Sequence, residues 1–192
     1  MVPLEPNTIL KYPALVRETH DALSALHFPQ LPGQPGRTEL LGRLLGTGIS
    51  QAMYLLAELH ASLATPGDVC EFGVAQGATS ALLANEIRAT DKHLWLYDSF
   101  AGLPKPSPKD KLQDDIFGLG SMEKYEGEMR CDPLEVEARL AQINFPDERY
   151  HLRAGVVHDT LTEGTAPAEV CFAYVDFDFY EPITHALAYL DR

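Results

Sequence analysis

Residues 68–80, Asp-Val-Cys-Glu-Phe-Gly-Val-Ala-Gln-Gly-Ala-Thr-Ser, decide how the rest of the chain is interpreted. The first five, 68–72, have the apolar character of a short buried strand, and residues 78–87 have helical composition. Gly73 and Gly77 frame a tight turn between them. A strand, a glycine turn and a helix bring the backbone close to a ligand, with helix N–H groups directed at it. The stretch therefore predicts a ligand site in an α/β fold.

The spacing within this stretch, Glu-x-Gly-x-x-x-Gly, differs from the Gly-x-Gly-x-x-Gly pattern of dinucleotide-binding turns. Ala75 stands where that pattern has its middle glycine, and Glu71 places an acid at the strand end, where the pattern stays apolar. A carboxylate beside the turn suits a ligand with a cationic amine better than it suits a pyrophosphate. The stretch therefore favours S-adenosylmethionine, and a purely structural glycine turn is the alternative.

Composition and charge narrow the class of protein. The 192 residues suit one domain, and 45% apolar with 22% charged residues is typical of soluble globular proteins. A net charge of −13 argues against nucleic-acid binding. The sequence contains neither an apolar run of the roughly 18 residues that span a membrane nor a signal peptide. Three cysteines at unrelated spacings indicate thiols in a reducing compartment, so we expect a cytoplasmic protein: Cys70, Cys131 and Cys171.

The order of the predicted elements indicates a doubly wound, mainly parallel α/β sheet of the Rossmann-like type. Strands that alternate with helices require a parallel sheet with helices on both faces. Residues 1–64 form an added helical segment for capping or oligomerisation, and residues 65–192 form the cofactor-binding domain. We expect an irregular lead-in over 1–11, helices over 13–28, 38–45, 51–63 (capped by Ser50), 132–143 and 181–190, and further strands over 93–97, 150–153 and 170–175.

Residues 104–131 lack any long regular pattern, although they lie inside the predicted domain. A structureless stretch of this length in a compact domain is usually either disordered or a functional lid. Because it directly follows a predicted strand, we expect a lid over the site.

The carboxyl ends of the predicted strands carry the candidate site residues, and ligands of parallel sheets bind at this edge. Asp98 lies 25 residues after Gly73, close to where nucleotide sites place an acid on the ribose hydroxyls. The alternative is that Asp98 caps the turn 99–102. Four pairs of candidate residues are expected at this edge of the sheet, one pair at the end of each strand: Glu71 with Gly73, Asp98 with Ser99, Ala154 with Gly155, and Asp176 with Asp178.

Asp176 and Asp178 follow the last buried strand and can present oxygens to one hard cation, Mg²⁺ or Ca²⁺. Such a cation could hold a substrate hydroxyl and lower its pKa. The alternative is that one Asp caps the helix beginning near Glu181 and the other is solvated. Of the histidines near the third strand, His158 could act as a general base, and a histidine with no catalytic role is equally compatible with the sequence.

From about residue 47 to the C-terminus the chain resembles the macrocin O-methyltransferase family (TylF/MycF-like), class I S-adenosylmethionine-dependent enzymes that methylate sugar hydroxyls of macrolides and related natural products. The matching stretches are Gly-Asp-Val-Cys-Glu-Phe-Gly-Val (67–74) with Gly77, Tyr-Asp-Ser-Phe-Ala-Gly-Leu-Pro (97–104), Asp-Thr-Leu (159–161) and Val-Asp-Phe-Asp-Phe-Tyr-Glu (175–181). A weaker match, 47–50, corresponds to a family loop near the cofactor.

The resemblance implies a role for each matching residue. Glu71 and Gly73 would hold the methionine end of the cofactor, Asp98 its ribose, and Asp176 would bind Mg²⁺. The predicted cofactor-binding residues are Glu71, Gly73, Gly77, Ser80, Asp98, Ser99 and Gly155. Asp176 and Asp178 are the predicted metal ligands, and with His158 they are the predicted catalytic residues.

The family sheet continues past the last helix into a strand ending in an Asp-Asp pair, and the 192-residue sequence stops at Arg192 before such a pair. We therefore expect the strand 170–175 to pair with another chain, as in a homo-oligomer, and Mg²⁺ to bind weakly. A small-molecule acceptor is the expected substrate. The competing functions are a non-catalytic or truncated methyltransferase-like module and a nicotinamide-dependent oxidoreductase, against which Ala75 and Glu71 argue.

Overall fold

The computed structural model of the chain describes residues 6–162 and 165–192, with the side chains from residue 12 onward. Three helices precede the sheet, and strands then alternate with helices. Within the described residues, no helix is long and apolar enough to cross a membrane. The elements are α1 (Pro6–Leu26), α2 (Arg37–Leu41), α3 (Ile49–Ser62), β1 (Asp68–Phe72), α4 (Ala78–Ile87), β2 (Leu94–Asp98), α5 (Pro133–Gln142), β3 (Tyr150–Ala154), α6 (Val157–Thr160), β4 (Val170–Val175) and α7 (Tyr180–Leu190), with 3-10 turns at Met122–Tyr125 and Asp147–Arg149.

The four strands form one parallel sheet in the order β3-β2-β1-β4, as the predicted α/β architecture requires. β1 is central, and after its first residue it is buried throughout, because helices cover both faces of a parallel sheet. Glu71 lies in register with Leu96 of β2 and Tyr174 of β4. The strand ends that carry the candidate residues therefore lie side by side at one edge.

Most predicted bounds agree with the structure to within one or two residues, and the N-terminal helices differ most. α1 begins at Pro6, so the predicted irregular lead-in is wrong for residues 6–11, while residues 1–5 lie outside the described part. α2 ends at Leu41 and not at residue 45, because Gly42 follows it as the C-cap. α3 begins one residue before Ser50, and its N-cap is Gly48.

The N-terminal helices share one hydrophobic core with β1, β2, α4 and α5. A second, smaller core lies on the opposite face of the sheet, where α6 and α7 cover Cys70, Phe72 and Tyr97. The predicted division at residues 64 and 65 stays a prediction, since helices on both sides of that point contribute to the same core.

A buried ion pair ties the N-terminal segment to the sheet domain. Arg37 of α2 donates two hydrogen bonds to Glu86 of α4, at 2.8 and 2.6 Å. His60 of α3 lies 2.7 Å from the same carboxylate. These contacts outweigh the cost of burial and hold the pKa of Glu86 below its usual value. Three helices are thus joined at one carboxylate.

We expect Arg37→Met to destabilise the protein by about 3–5 kcal/mol, since it leaves the Glu86 carboxylate buried with only His60 as a partner. Urea unfolding followed by circular dichroism measures the change. Arg17→Met is the matched control, because Arg17 pairs with Glu39 at 3.8 Å on the surface, where ion pairs contribute about 0–1 kcal/mol. Equal effects of the two substitutions would contradict the assignment.

Candidate active site

Both glycines of the central turn are required by close approach of other parts of the chain. Gly73 has φ 93°, and a Cβ added there would lie 2.5 Å from the carbonyl oxygen of Asp176. Gly77 has φ 75° at the N-cap of α4, and a Cβ there would lie 3.0 Å from Val136 of α5. The turn therefore brings the ends of β1 and β4 into contact. As a result, Asp176 lies next to the end of β1 that carries Glu71.

Glu71 is the most unusual titratable group at the strand ends. The residue is 1% exposed, and within the described part of the chain its carboxyl has one hydrogen-bond partner, the Ser80 hydroxyl, which donates to Oε2 at 2.5 Å. Burial raises the pKa of Glu71 to about 8; Ser80 opposes this shift, and the negative charges of Asp176 and Asp98 add to it. A buried carboxyl without a cationic partner is suited to receive a cation from a ligand.

Asp98 closes the glycine turn from the end of β2. Its Oδ2 accepts hydrogen bonds from the backbone N–H groups of Val74 and Ala75, both at 2.9 Å. Its Oδ1 accepts one from Phe100 at 2.7 Å, as expected for a residue that caps a turn. These two N–H groups of the turn are therefore occupied by Asp98, and the prediction that N–H groups of the following helix are directed at a ligand stays a prediction. A carboxylate has about four acceptor positions, so one remains for a ribose hydroxyl.

Ser99 and Gly155 shape the strand ends next to Asp98. The Ser99 hydroxyl donates to the carbonyl of Gly102 at 3.0 Å and accepts from Ala101 N at 3.2 Å. The backbone N–H of Gly155 donates to the carbonyl of Asp98 at 2.9 Å. Both residues lie at the predicted edge, and their contact with a cofactor stays a prediction.

Asp176 and Asp178 are exposed residues that follow β4, in the position predicted for metal ligands. The pKa of Asp178 is raised, first by loss of hydration around its carboxyl and then by Asp176 and Asp98. Neither Asp caps α7: Asp110, from the predicted lid, accepts the Tyr180 N–H at 2.7 Å. Among the described residues, no group of three or more His, Cys, Asp or Glu side chains is placed to hold a metal ion.

Tyr174 belongs to the site, although the sequence analysis included it only as an apolar strand residue. Its hydroxyl donates to Asp176 Oδ2 at 2.9 Å. Thr47, in the loop before α3, lies near the Tyr174 hydroxyl, and burial raises the pKa of the phenol. The weakly matching loop 47–50 therefore lies at the strand ends. A polar group at the tip of a tyrosine is easily missed, because the ring counts as apolar in a strand pattern.

His158 lies on α6, away from these carboxylates. Its Nε2 is 3.0 Å from the Asp159 carboxylate, and its ring lies 5.3 Å from that of His185. Among the described residues, no hydrogen bond joins His158 to Asp176 or Asp178. The role of His158 as general base stays a prediction that this geometry does not favour.

Backbone hydrogen bonds join the two ends of the predicted lid. Leu103 N donates to the carbonyl of Glu128, and Gly127 N donates to the carbonyl of Leu103, both at 2.8 Å. Gly102 has φ 91°, and a Cβ there would lie 2.4 Å from the carbonyl oxygen of Gly127. The intervening segment is irregular apart from the 3-10 turn, and it reaches α7 through Asp110. The segment therefore forms a closed loop beside the strand ends.

A parallel sheet with a buried acid and a glycine turn at its strand ends defines the chain as a Rossmann-like α/β protein with a candidate cofactor site. The sequence pattern of the family Macrocin-O-methyltransferase (TylF) matches residues 51–192. The chain belongs to this family, which confirms the resemblance and identifies the protein as a methyltransferase.

Solved structures with the same fold agree with this assignment. The O-methyltransferase NovP superposes with a TM-score of 0.64 and 21% identity, over 93% of this chain and 78% of NovP. CalS11, a calicheamicin methyltransferase, superposes with a TM-score of 0.60 and 19% identity, over 99% of this chain and 75% of CalS11. A putative O-methyltransferase from Klebsiella pneumoniae superposes with a TM-score of 0.53 and 16% identity, over 91% of this chain and 65% of its own chain. No curated protein matches the chain significantly.

We expect Glu71→Gln to stabilise the protein increasingly as the pH rises from about 4.5 to about 8. In this window the folded state keeps the Glu71 proton and the unfolded state loses it, so the wild-type free energy of unfolding falls by up to about 1.4 kcal/mol per pH unit. Glutamine does not titrate. Urea unfolding across the window measures the difference, with the exposed Glu58→Gln as control. Parallel stability curves for wild type and Glu71→Gln would show that Glu71 titrates normally.

Proposed function

We propose that the protein is an S-adenosylmethionine-dependent O-methyltransferase that acts on a hydroxyl of a small natural product, such as a sugar hydroxyl. Family membership supports methyl transfer. The observation that carries the cofactor assignment is the buried Glu71 carboxyl, which lacks a cationic partner among the described residues. The name of the structural neighbour CalS11, a calicheamicin methyltransferase, supports the substrate class by analogy.

The residues at the strand ends fit the chemical groups of S-adenosylmethionine. Its cationic amine suits the Glu71 carboxyl, which Ser80 orients, and a ribose hydroxyl suits the remaining acceptor position of Asp98. Gly73 and Gly77 allow Asp176 and Val136 to pack closely against the glycine turn. The bound cofactor would supply an electrophilic methyl group. The contribution of the protein is to hold cofactor and acceptor hydroxyl in line and to exclude water.

The acceptor hydroxyl must lose its proton, and the Asp178 carboxylate is the base that we propose. The raised pKa of Asp178 makes its carboxylate a better proton acceptor than an ordinary aspartate. In an alternative arrangement, in which Asp178 is not the base, Asp176, oriented by Tyr174, and Asp178 would supply two oxygen ligands for a Mg²⁺ ion. Such an ion would lower the pKa of the hydroxyl. Since no group of three or more potential ligands among the described residues is placed to hold a metal ion, we propose weak Mg²⁺ binding.

We propose that residues 104–131 form a lid over the acceptor. Ile116 and Phe117 are 69% and 44% exposed, and they give the segment an apolar surface that an acceptor could cover.

The three free cysteines are compatible with the proposed location in the cytoplasm.

Glu71→Ala and Asp98→Ala are each expected to weaken binding of S-adenosylmethionine or S-adenosylhomocysteine by about 1.5–3 kcal/mol, or about 10- to 150-fold, since each removes a buried hydrogen bond to a charged or polar ligand group. Titration calorimetry measures the affinities. NAD(H), titrated in parallel, should not bind. Unchanged cofactor affinity in both variants would remove the basis for this site.

Amide hydrogen exchange within residues 104–126 should be fast in the free protein and slow when cofactor and acceptor are bound. Between Asp110 and residue 126 the hydrogen bonds of the described segment join its own residues, as Asp115 does with Leu119, Gly120 and Tyr125, so the segment can open without breaking bonds to the sheet. Mass spectrometry of peptides from this segment measures the rates, and peptides from β1 serve as the protected reference. Slow exchange in the free protein that ligands leave unchanged would rule out a mobile lid.

We also propose that the protein self-associates through β4. Within the described residues β4 is an edge strand, and all six of its residues are half-buried and apolar or aromatic. An edge of this kind offers backbone groups and apolar area to a second copy. Sedimentation velocity at micromolar concentration should show a dimer or larger species. Cys171→Lys should shift the sedimenting species toward the monomer, and a wild-type monomer would refute the proposal.

A further inference from the structure

The face of the sheet opposite Glu71 carries a polar and aromatic cluster that the proposed function does not use. Trp95 and Tyr97 of β2 lie in register with His151 and Arg153 of β3. Tyr97 is also in register with Phe72, one residue away from Glu71, and successive side chains of a strand point to opposite faces. The cluster is therefore separated from the candidate active site by the sheet itself.

Two hydrogen-bond donors in this cluster lack partners. The Tyr97 hydroxyl and Arg153 Nε are both shielded from solvent, and neither has a hydrogen-bond partner in the described structure. Tyr97 is 0% exposed, and its ring stacks on Phe72 at 4.9 Å, which fixes the direction of the hydroxyl. Buried donors without partners cost free energy and are rare in folded proteins. Tyr97 and Arg153 are register partners, and Arg153 is near enough to the Tyr97 hydroxyl to oppose the rise in its pKa that burial causes, so one acceptor can meet both donors.

The charge of the cluster indicates what kind of acceptor fits. The Arg153 guanidinium lies 5.0 Å from the centre of the Trp95 ring, and no ion pair forms between Arg153 and another described residue. Trp95 is held on its other sides by His151, at 4.0 Å, and by a 2.9 Å hydrogen bond to Asp68. Burial, then His93 and Arg153, lower the pKa of His151. Arg153 therefore supplies the positive charge of the cluster at neutral pH.

We propose that Arg153 and Tyr97 form a binding site for an oxyanion, a carboxylate or a phosphate group, on the face of the sheet opposite the active site. An oxyanion offers several acceptor positions to an arginine and a hydroxyl at once. The anion would enter from the side of Arg153, which is half-exposed, since Tyr97 is closed to solvent. The oxyanion can come from a free small molecule or from an acidic side chain of a second copy of the chain.

Trp95 is the only tryptophan of the chain, so its fluorescence reports on this cluster alone. Sodium acetate and sodium phosphate are titrated into the full chain at constant ionic strength, with sodium chloride as the reference salt. We expect a saturable change in Trp95 fluorescence for at least one oxyanion, or, without added anion, a change with protein concentration that follows dimerisation in sedimentation. The first result identifies a free anion, and the second identifies a carboxylate of another copy provided that Tyr97→Phe removes the change while dimerisation persists.

Variants separate binding from general salt effects. Tyr97→Phe should weaken the affinity for the anion about 10- to 150-fold, because it removes one hydrogen bond to a charged group. It should not lower the melting temperature in chloride, because the deleted hydroxyl has no partner in the described structure. Arg153→Met should abolish the fluorescence response. Tyr54→Phe and Arg43→Met, exposed residues on other elements, should leave it unchanged. A response that never saturates, or that Tyr97→Phe leaves unaltered, would mean that water alone fills the position and would overturn the proposal.

Discussion

A carboxyl group buried without a counter-charge is the constraint on which the site depends. Glu71 lies in the central strand, 1% exposed, with one hydroxyl as its partner among the described residues and two other acids at the neighbouring strand ends. A fold that only had to be stable would replace such a group with an apolar residue. Its presence under a glycine turn is therefore best explained by a cationic ligand, and the amine of S-adenosylmethionine is the ligand that the family suggests.

The order of the strands in the parallel sheet places the other candidate site residues next to Glu71. β1 lies between β2 and β4, so the acids that follow all three strands meet at one edge. Gly73 lets the carbonyl of Asp176 approach, and Asp98 fixes the turn by accepting its N–H groups. The proposed lid begins after residues 99–102, the turn that follows Asp98, and its Asp110 contacts the start of α7. The glycine turn contacts Asp176, and the proposed lid contacts the start of α7, which follows Asp178 in the chain.

The sequence was sufficient for the features that depend on local pattern. The bounds of β1, α4 and β4 follow from apolar runs and turn residues, and the Asp132 cap of α5 from its side chain, which accepts the Leu134 N–H at 2.9 Å. Contacts between distant residues could not be predicted in this way. The bonds that Val74 and Ala75 donate to Asp98 and the cap that Asp110 provides for α7 depend on how the elements pack.

The central claim is that Glu71 gives up a proton to bind the cofactor amine. Titration calorimetry of S-adenosylhomocysteine at pH 7, in buffers of different ionisation enthalpy, measures the number of protons released. Because the pKa of Glu71 is raised to about 8, most of the free protein holds this proton at pH 7. We predict the release of nearly one proton in the wild type and, in Glu71→Gln, weaker binding with no release from this position. Tight binding with equal proton release in both proteins would contradict the account.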